Sequence, residues 1–158
     1  MTVATQTRRW TIDDVALLPD EEGTRYELID GELFISEQPH WQHQLVCGNI
    51  IVRIGQWSRE GKQGRAISAP GIIYSQEDAV APDIVWVHRD RIDTVFHPNG
   101  KLYASPDLMI EVLSPGAANE RRDQYDKLHL YARQGVQEYW IADWRTRQIA
   151  IYRRQQDD

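Results

Sequence analysis

Residues 108–115 read Leu-Met-Ile-Glu-Val-Leu-Ser-Pro. The stretch 108–113 is short and almost entirely apolar, which is typical of a strand buried on both faces of a sheet. The Ser-Pro-Gly sequence at 114–116 then breaks it. Glu111 stands inside this strand, where a carboxylate is costly unless a cation or another partner compensates it. The sequence therefore predicts a buried strand that contains a charged group in need of a partner.

The segments on either side of this strand predict an α/β (α+β) domain, in which a mixed sheet is flanked by helices. The Thr11–Asp14 capping box starts a short helix, and Asp30-Gly31 suits a tight hairpin turn. Later elements are recognised from hydrophobic periodicity and from their glycine or proline boundaries. The expected elements are the hairpin 26–29 and 32–35, a helix from Pro39 to Gly61, strands at 65–68, 71–74 and 80–88, the strand 108–113, a helix at about 119–134 capped by Gly135, and the hairpin 136–142 and 148–152.

Each long helix has one expected apolar face, defined by residues three or four positions apart. The four residues expected on this face of the first helix are Val46, Ile50, Ile54 and Trp57. Those expected on one side of the second are Gln124, Leu128, Tyr131 and Ala132.

Composition limits the class of protein. The 158 residues are 41% hydrophobic and 27% charged, which indicates one globular domain. We expect a flexible arm at 1–9, the domain at 10–154 and a polar tail at 155–158. A single cysteine excludes a disulfide framework and a multi-thiolate metal site, so a reducing cytoplasm is expected. With 18 basic and 24 acidic residues the net charge is −6, which argues against passive coating of DNA, and no apolar run is long enough for a membrane span.

A second carboxylate is expected close to Glu111. Asp83 follows Pro82 and opens the strand-like run Ile-Val-Trp-Val, so it lies at a strand edge. If the two strands are neighbours, the carboxylates converge, and two such oxygen donors with a backbone carbonyl and water suit Mg²⁺ or Mn²⁺. Lys127, on the following helix, supplies a positive charge for such a site.

Structural explanations exist for each of these residues. Glu111 is also satisfied by pairing with an arginine, and Lys127 by an exposed ion pair with Asp123 worth about 0.3–0.5 kcal/mol. His43 lies on the apolar face of its helix, which suits a core histidine as well as a ligand. Cys47 follows His43 by four positions, so a Cys–His dyad is geometrically possible, although a small buried hydrophobic residue is the stronger interpretation. Spacing alone leaves these alternatives open.

Four blocks of sequence together resemble one known family. They are Tyr-Glu-Leu-Ile-Asp-Gly-Glu-Leu at 26–33, Pro-Asp at 82–83, Glu-Val-Leu-Ser-Pro at 111–115, and the segment 123–140 with its Asp-x-x-x-Lys-x-x-x-Tyr-Ala pattern. The family is the widespread bacterial one described as putative restriction endonucleases, within the PD-(D/E)xK nuclease superfamily. The resemblance covers about residues 10–153.

This resemblance implies a restriction-endonuclease-like fold and a set of site residues. Asp83 and Glu111 match the metal-binding acids of the superfamily, and the carbonyl of Val112 matches a backbone ligand. The superfamily lysine normally follows the second acid by two residues, where this chain has Leu113. In this family the lysine is thought to lie on the next helix, which points to Lys127.

Four further residues are placed near the site. By resemblance, Glu27 and His43 match recurrent polar positions and are expected to line the same cleft. By their position at the start of the lysine helix, Arg121 and Arg122 are expected to contact DNA phosphates.

The function expected from this pattern is Mg²⁺-dependent (or Mn²⁺-dependent) hydrolysis of DNA phosphodiester bonds by an endonuclease. A homodimer is expected, because cutting a duplex takes two active sites and two-fold dimers are common. The alternative is a non-cleaving module of the same fold that binds nucleic acid or protein. Hydrolysis of another phosphate ester is a third possibility.

Overall fold

A computed structural model describes residues 8–156 of the chain. Residues 1–7 of the expected arm and 157–158 of the expected tail lie outside this range, so the domain limits at 10–154 stay a prediction. Within the described range, the Arg9 side chain is paired with Glu77, and the backbone N–H of Trp10 donates to the carbonyl of Gly31 at 2.8 Å. No helix in this range is both long and apolar enough to cross a membrane.

The elements follow the chain in an order close to the expected one. Five of the helical segments have only three to five residues, and after β7 the chain forms one continuous helix in which a π-helical turn separates α4 from α5. The elements are α1 (Ile12–Val15), β1 (Arg25–Ile29), β2 (Glu32–Ser36), α2 (Trp41–Glu60), β3 (Gly64–Ser68), β4 (Ile72–Ile73), β5 (Ala79–Val80), β6 (Ile84–His88), a 3₁₀ turn (Arg89–Arg91), α3 (Ile92–Val95), β7 (Leu108–Val112), α4 (Ala117–Arg121), the π turn (Arg122–Asp126), α5 (Lys127–Arg133), β8 (Glu138–Asp143) and β9 (Gln148–Arg153).

The strands form two sheets. The smaller has the order β2-β1-β5-β4, and the larger has the order β3-β6-β7-β8-β9. The larger sheet is mixed, because β7 and β8 run parallel while its other neighbours are antiparallel. The expected strand at 80–88 is therefore wrong as a single element: its first residue belongs to β5 in one sheet and its last five to β6 in the other. Ala81-Pro82-Asp83 separates them, and Pro82 has no N–H to continue a ladder.

Helices cover both faces of the larger sheet. Trp86 donates its indole N–H to Ser58 of α2 at 2.8 Å, which places α2 on one face. The neighbouring residue Val85 points the other way and packs in the main core with Leu130 and Tyr131 of α5. The strand β7 is central, and its last four residues are buried as predicted.

The expected face of α2 is found in part, and that of the second long helix differs. In α2 the expected Val46, Ile50 and Ile54 are half-buried on the same side as buried His43, while Trp57 is 51% exposed. In the second helix the π turn adds a residue to the helical repeat, which changes the residues that point inward. Gln124 is consequently exposed, and the buried set is Arg122, Asp123, Lys127, Leu130 and Tyr131.

Candidate active site

A cavity of about 90 Å³ lies where the end of β7 meets the start of β6, the β1–β2 hairpin, the first turn of α2 and the π turn. It brings together every acidic, basic and imidazole group that the sequence predicts for the site except Arg121. Its walls are formed by Gly23, Arg25, Glu27, Ser36, Glu37, Pro39, His43, Gln44, Asp83, Glu111, Val112, Ser114, Arg122 and Lys127.

The charges around this cavity are unbalanced. The buried acids at or directly behind it are Glu27, Asp83, Glu111 and Asp123, and they outnumber the buried bases, which are His43, Arg122 and Lys127. With the four acids, Arg122 and Lys127 ionised, these groups carry two excess negative charges, and the partly exposed guanidinium of Arg25, 3.5 Å from Asp83, offsets one of them. Such an excess favours a bound cation or a proton, because buried like charges repel strongly.

Glu111 is paired with a lysine and a tyrosine. Lys127 Nζ donates to Glu111 Oε1 at 2.8 Å, and the Tyr131 hydroxyl donates to the same oxygen at 3.1 Å. The arginine partner considered from the sequence is therefore not the one found. Because both hydrogen bonds end on Oε1, the Oε2 atom is left for another ligand.

Lys127 is 1% exposed, so the exposed ion pair with Asp123 that the sequence allowed is also wrong. Its Nζ lies 2.9 Å from Glu27 Oε1 and 3.8 Å from Asp123 Oδ1, in addition to its bond with Glu111. Burial alone would lower the pKa of Lys127, but the surrounding carboxylates outweigh this and raise it above its ordinary value. The lysine is thus a permanent buried cation.

Asp83 follows the break between β5 and β6, and three groups surround its carboxylate. His43 Nε2 lies 3.2 Å from Oδ2, the backbone N–H of Val112 donates to Oδ2 at 2.8 Å, and Arg25 Nη1 lies 3.5 Å from Oδ1. Burial would raise the pKa of Asp83, but the contacts with His43 and Val112 outweigh it and lower the pKa to about 2. Asp83 is therefore ionised at neutral pH.

The pKa of Glu111 moves in the opposite direction. Burial, the largest cause, raises it well above its ordinary value, and the charge of Asp83 adds to this, while Lys127 opposes it. Two neighbouring acids with opposite pKa shifts are common at sites that bind metals or transfer protons.

His43 also contacts the single cysteine. Cys47 Sγ lies 3.7 Å from His43 Nδ1, and burial raises the pKa of the thiol to about 12. A thiol with such a pKa is protonated at neutral pH and is a poor nucleophile, which argues against a catalytic Cys–His dyad. His43, Cys47 and Asp83 nevertheless offer nitrogen, sulfur and oxygen atoms within 4.8 Å of one another, a possible second donor set that shares Asp83.

The two arginines expected to contact DNA lie in different environments. Arg122 is buried, and its guanidinium donates to Asp123 at 3.0 Å and to Ser36 at 2.9 Å. Arg121 is exposed, with its guanidinium 5.6 Å from the centre of the Tyr125 ring.

Sequence reasoning missed two members of the site. They are Arg25 and Asp123. Arg25 lies two positions before the predicted Glu27 on β1, and that period places both on the face that contacts the cavity. Asp123 was considered only as a surface partner of Lys127. Their four-residue spacing was correctly seen, but the spacing does not distinguish a buried pair from an exposed one.

Comparisons with known proteins agree with this architecture. The sequence pattern of the Uma2 family, described as "Putative restriction endonuclease", matches residues 12–158. The crystal structure of a putative nuclease belonging to DUF820 from Anabaena variabilis ATCC 29413 is similar with a TM-score of 0.73 and 24% sequence identity, over 93% of this chain and 81% of that one. No curated protein matches the chain. The structural likeness confirms the predicted fold.

Proposed function

Because the chain belongs to the Uma2 family of putative restriction endonucleases, we propose that it is a DNA endonuclease that depends on Mg²⁺ or Mn²⁺. Asp83, Glu111 and Lys127 are its proposed catalytic residues, with Glu27 and His43 around them. The observation that carries this proposal is the excess of buried carboxylates over buried bases at the cavity. Buried carboxylates in excess of their basic partners are strongly destabilising unless a cation compensates their charge.

The residues present fit a hard divalent cation. Asp83 and Glu111 each supply a carboxylate oxygen, and Val112 supplies a backbone carbonyl. The N–H and C=O groups of one strand residue project to the same edge, and the N–H of Val112 points at Asp83, so its carbonyl lies on that side as well. A volume of about 90 Å³ accommodates an ion with several waters. A cation held there supplies charge neutralisation of the scissile phosphate and a water of lowered pKa.

The surrounding residues position these ligands. His43 and the Val112 N–H hold Asp83 ionised and fix its Oδ2 atom. Lys127 and Tyr131 hold Oε1 of Glu111, and Oε2 is the oxygen proposed to bind the cation. Lys127 also contributes a fixed positive charge beside the reacting phosphate, where negative charge develops in the transition state.

DNA binding rests on a few local cations, because the chain as a whole is acidic. Arg25, at the cavity wall, and Arg121, the exposed last residue of α4, are the proposed phosphate contacts, and buried Arg122 holds the wall in place. The affinity for DNA is therefore expected to fall steeply with salt. A homodimer supplies the two sites that a double-strand cut requires.

Cleavage of supercoiled plasmid in Mg²⁺ or Mn²⁺ tests this proposal. The wild type is expected to nick the plasmid, and Glu111→Gln to be slower by at least about 100-fold, as for the loss of one electrostatic stabiliser. Glu32→Gln, which neutralises an exposed acid on β2, is the matched control and should cut like the wild type.

Two outcomes contradict the proposal. Cutting that survives Glu111→Gln indicates another site or a contaminating nuclease. Salt-sensitive DNA binding with no cutting in any metal favours the non-cleaving module instead.

A further inference from the structure

The outward face of α2 exposes large apolar side chains. Trp41 is 66% exposed, Leu45 54% and Val52 62%, whereas His43 and Ser58 on the opposite side are buried against the larger sheet. Isolated apolar residues on a surface are ordinary, but aligned ones mark an interaction site. These three share one face, since they are separated by four and seven positions.

The same part of the helix lacks charge. Residues 41–52 contain no Asp, Glu, Lys or Arg, although 27% of the whole chain is charged. An exposed helix normally carries charged residues on its solvent face. Depletion of charge together with exposed Trp and Leu is the composition of the centre of a protein interface.

The exposed residues belong to a regular seam. Positions 41, 45, 48, 52, 55 and 59 are spaced alternately by four and three residues, the heptad spacing of helices that pack side by side. Gly48 and Gly55 occupy two of these positions, and a Cβ atom added at either meets no atom within 4 Å. The glycines therefore leave open gaps on the outside of the molecule, between the large residues.

We propose that this seam binds a second copy of the chain, with the two α2 helices antiparallel about a two-fold axis near residue 50. In that register the numbers of facing residues add to 100. Val52 of each copy then faces the gap at Gly48, and Leu45 faces the gap at Gly55. Arg59 faces Trp41, where a cation–π contact forms.

The self-complementary seam indicates that the partner is a second copy of this chain. A two-fold interface uses the same surface on both partners, so each large residue needs a small one at the symmetric position. The seam supplies this match at both inner layers. It runs for about 27 Å along α2. The association needs neither metal nor DNA, and it is therefore independent of the nuclease proposal, although it joins two cavities in one particle.

Sedimentation velocity over a range of concentrations tests the proposal on the whole chain, without metal or DNA. The wild type is expected to sediment as a species of twice the 18.4 kDa chain mass. A wild type that stays monomeric at all concentrations overturns the proposal, whatever the outcome of the cleavage assay.

Two variants test the register. Val52→Arg should weaken the dimer by about tenfold or more, because it places two charges in the seam. Gly48→Leu adds apolar surface and raises helix propensity. If α2 associated only through non-specific apolar contact, this variant would therefore dimerise more strongly than the wild type. We expect the opposite, a dimer weakened by about tenfold or more, because the leucine fills the gap that Val52 needs.

Ile149→Arg is the matched control, since Ile149 is 50% exposed on β9, outside the proposed seam. It should dimerise like the wild type, and circular dichroism should show that all variants are folded. Stronger association of Gly48→Leu, or loss of the dimer in Ile149→Arg alone, would contradict the α2 interface.

Discussion

Replacing Lys127 by methionine removes the buried cation on which the site depends. Methionine keeps the length of the side chain, so the cavity that it leaves is small. The variant, however, leaves Glu27, Glu111 and Asp123 without the ammonium group that lies 2.8–3.8 Å from each of them.

Loss of one partner of a buried ion pair costs about 3–5 kcal/mol. For a chain of this length each kcal/mol lowers Tm by about 2–4 °C, so we expect Lys127→Met to melt about 6–20 °C below the wild type at neutral pH in a chelator. Lys101→Met, which removes an exposed lysine, should change the free energy of unfolding by less than about 0.5 kcal/mol.

The double variant Lys127→Met/Glu111→Gln adds a second test. Neutralising Glu111 removes one of the uncompensated carboxylates, so the double variant should be more stable than Lys127→Met alone. Urea unfolding of the four proteins in this cycle measures the coupling. If Lys127→Met is as stable as the wild type, or if the second substitution brings no recovery, the buried charge excess described for this site is wrong.

Three further predictions concern residues in and beside the same site. Without metal, the free energy of unfolding of the wild type should fall as the pH rises above about 4.5. The reason is that the pKa values of Glu111 and Asp123 are raised in the folded protein, which therefore holds protons that the unfolded chain has lost. Urea unfolding across pH should show a weaker fall for Glu111→Gln, and an equal fall would contradict the raised pKa assigned to Glu111. Tyr131→Phe removes the hydroxyl that donates to Glu111 and should cost about 1.5–3 kcal/mol; an unchanged urea midpoint would show that this bond contributes nothing. The Cys47 thiol, whose pKa is raised to about 12, should react with iodoacetamide at pH 8 far more slowly than a free thiol; fast alkylation followed by mass spectrometry would refute its burial.

Local signals in the sequence predicted the elements well. The turn between β1 and β2 forms at Asp30-Gly31, whose φ angles are 53° and 73°, the left-handed values that an Asp-Gly hairpin favours. Thr11 and Asp14 form the predicted capping box. The run at 108–113 was identified as a buried strand because it is both apolar and short. Each of these signals involves residues close together in the chain.

The division into two sheets was not predictable in the same way. Val80 and Ile84 both carry strand-forming side chains, and only their pairing with distant strands assigns them to different sheets. The π turn also escaped prediction, because periodicity analysis assumes a constant helical repeat. For that reason the inward position of Asp123 was missed, whereas Lys127, selected from the family pattern, does line the cavity.

The position of a bound metal tests the proposed site most directly. A crystal of the protein soaked in Mn²⁺ should show one anomalous peak in the cavity, within about 2.2 Å of a carboxylate oxygen of Asp83 and of Glu111. The Glu111→Gln variant should show a weaker peak or none under the same conditions. A peak held only by His43 and Cys47, or a cavity without a peak while Mn²⁺ occupies other sites, would contradict the proposal that Asp83 and Glu111 form the metal site of this protein.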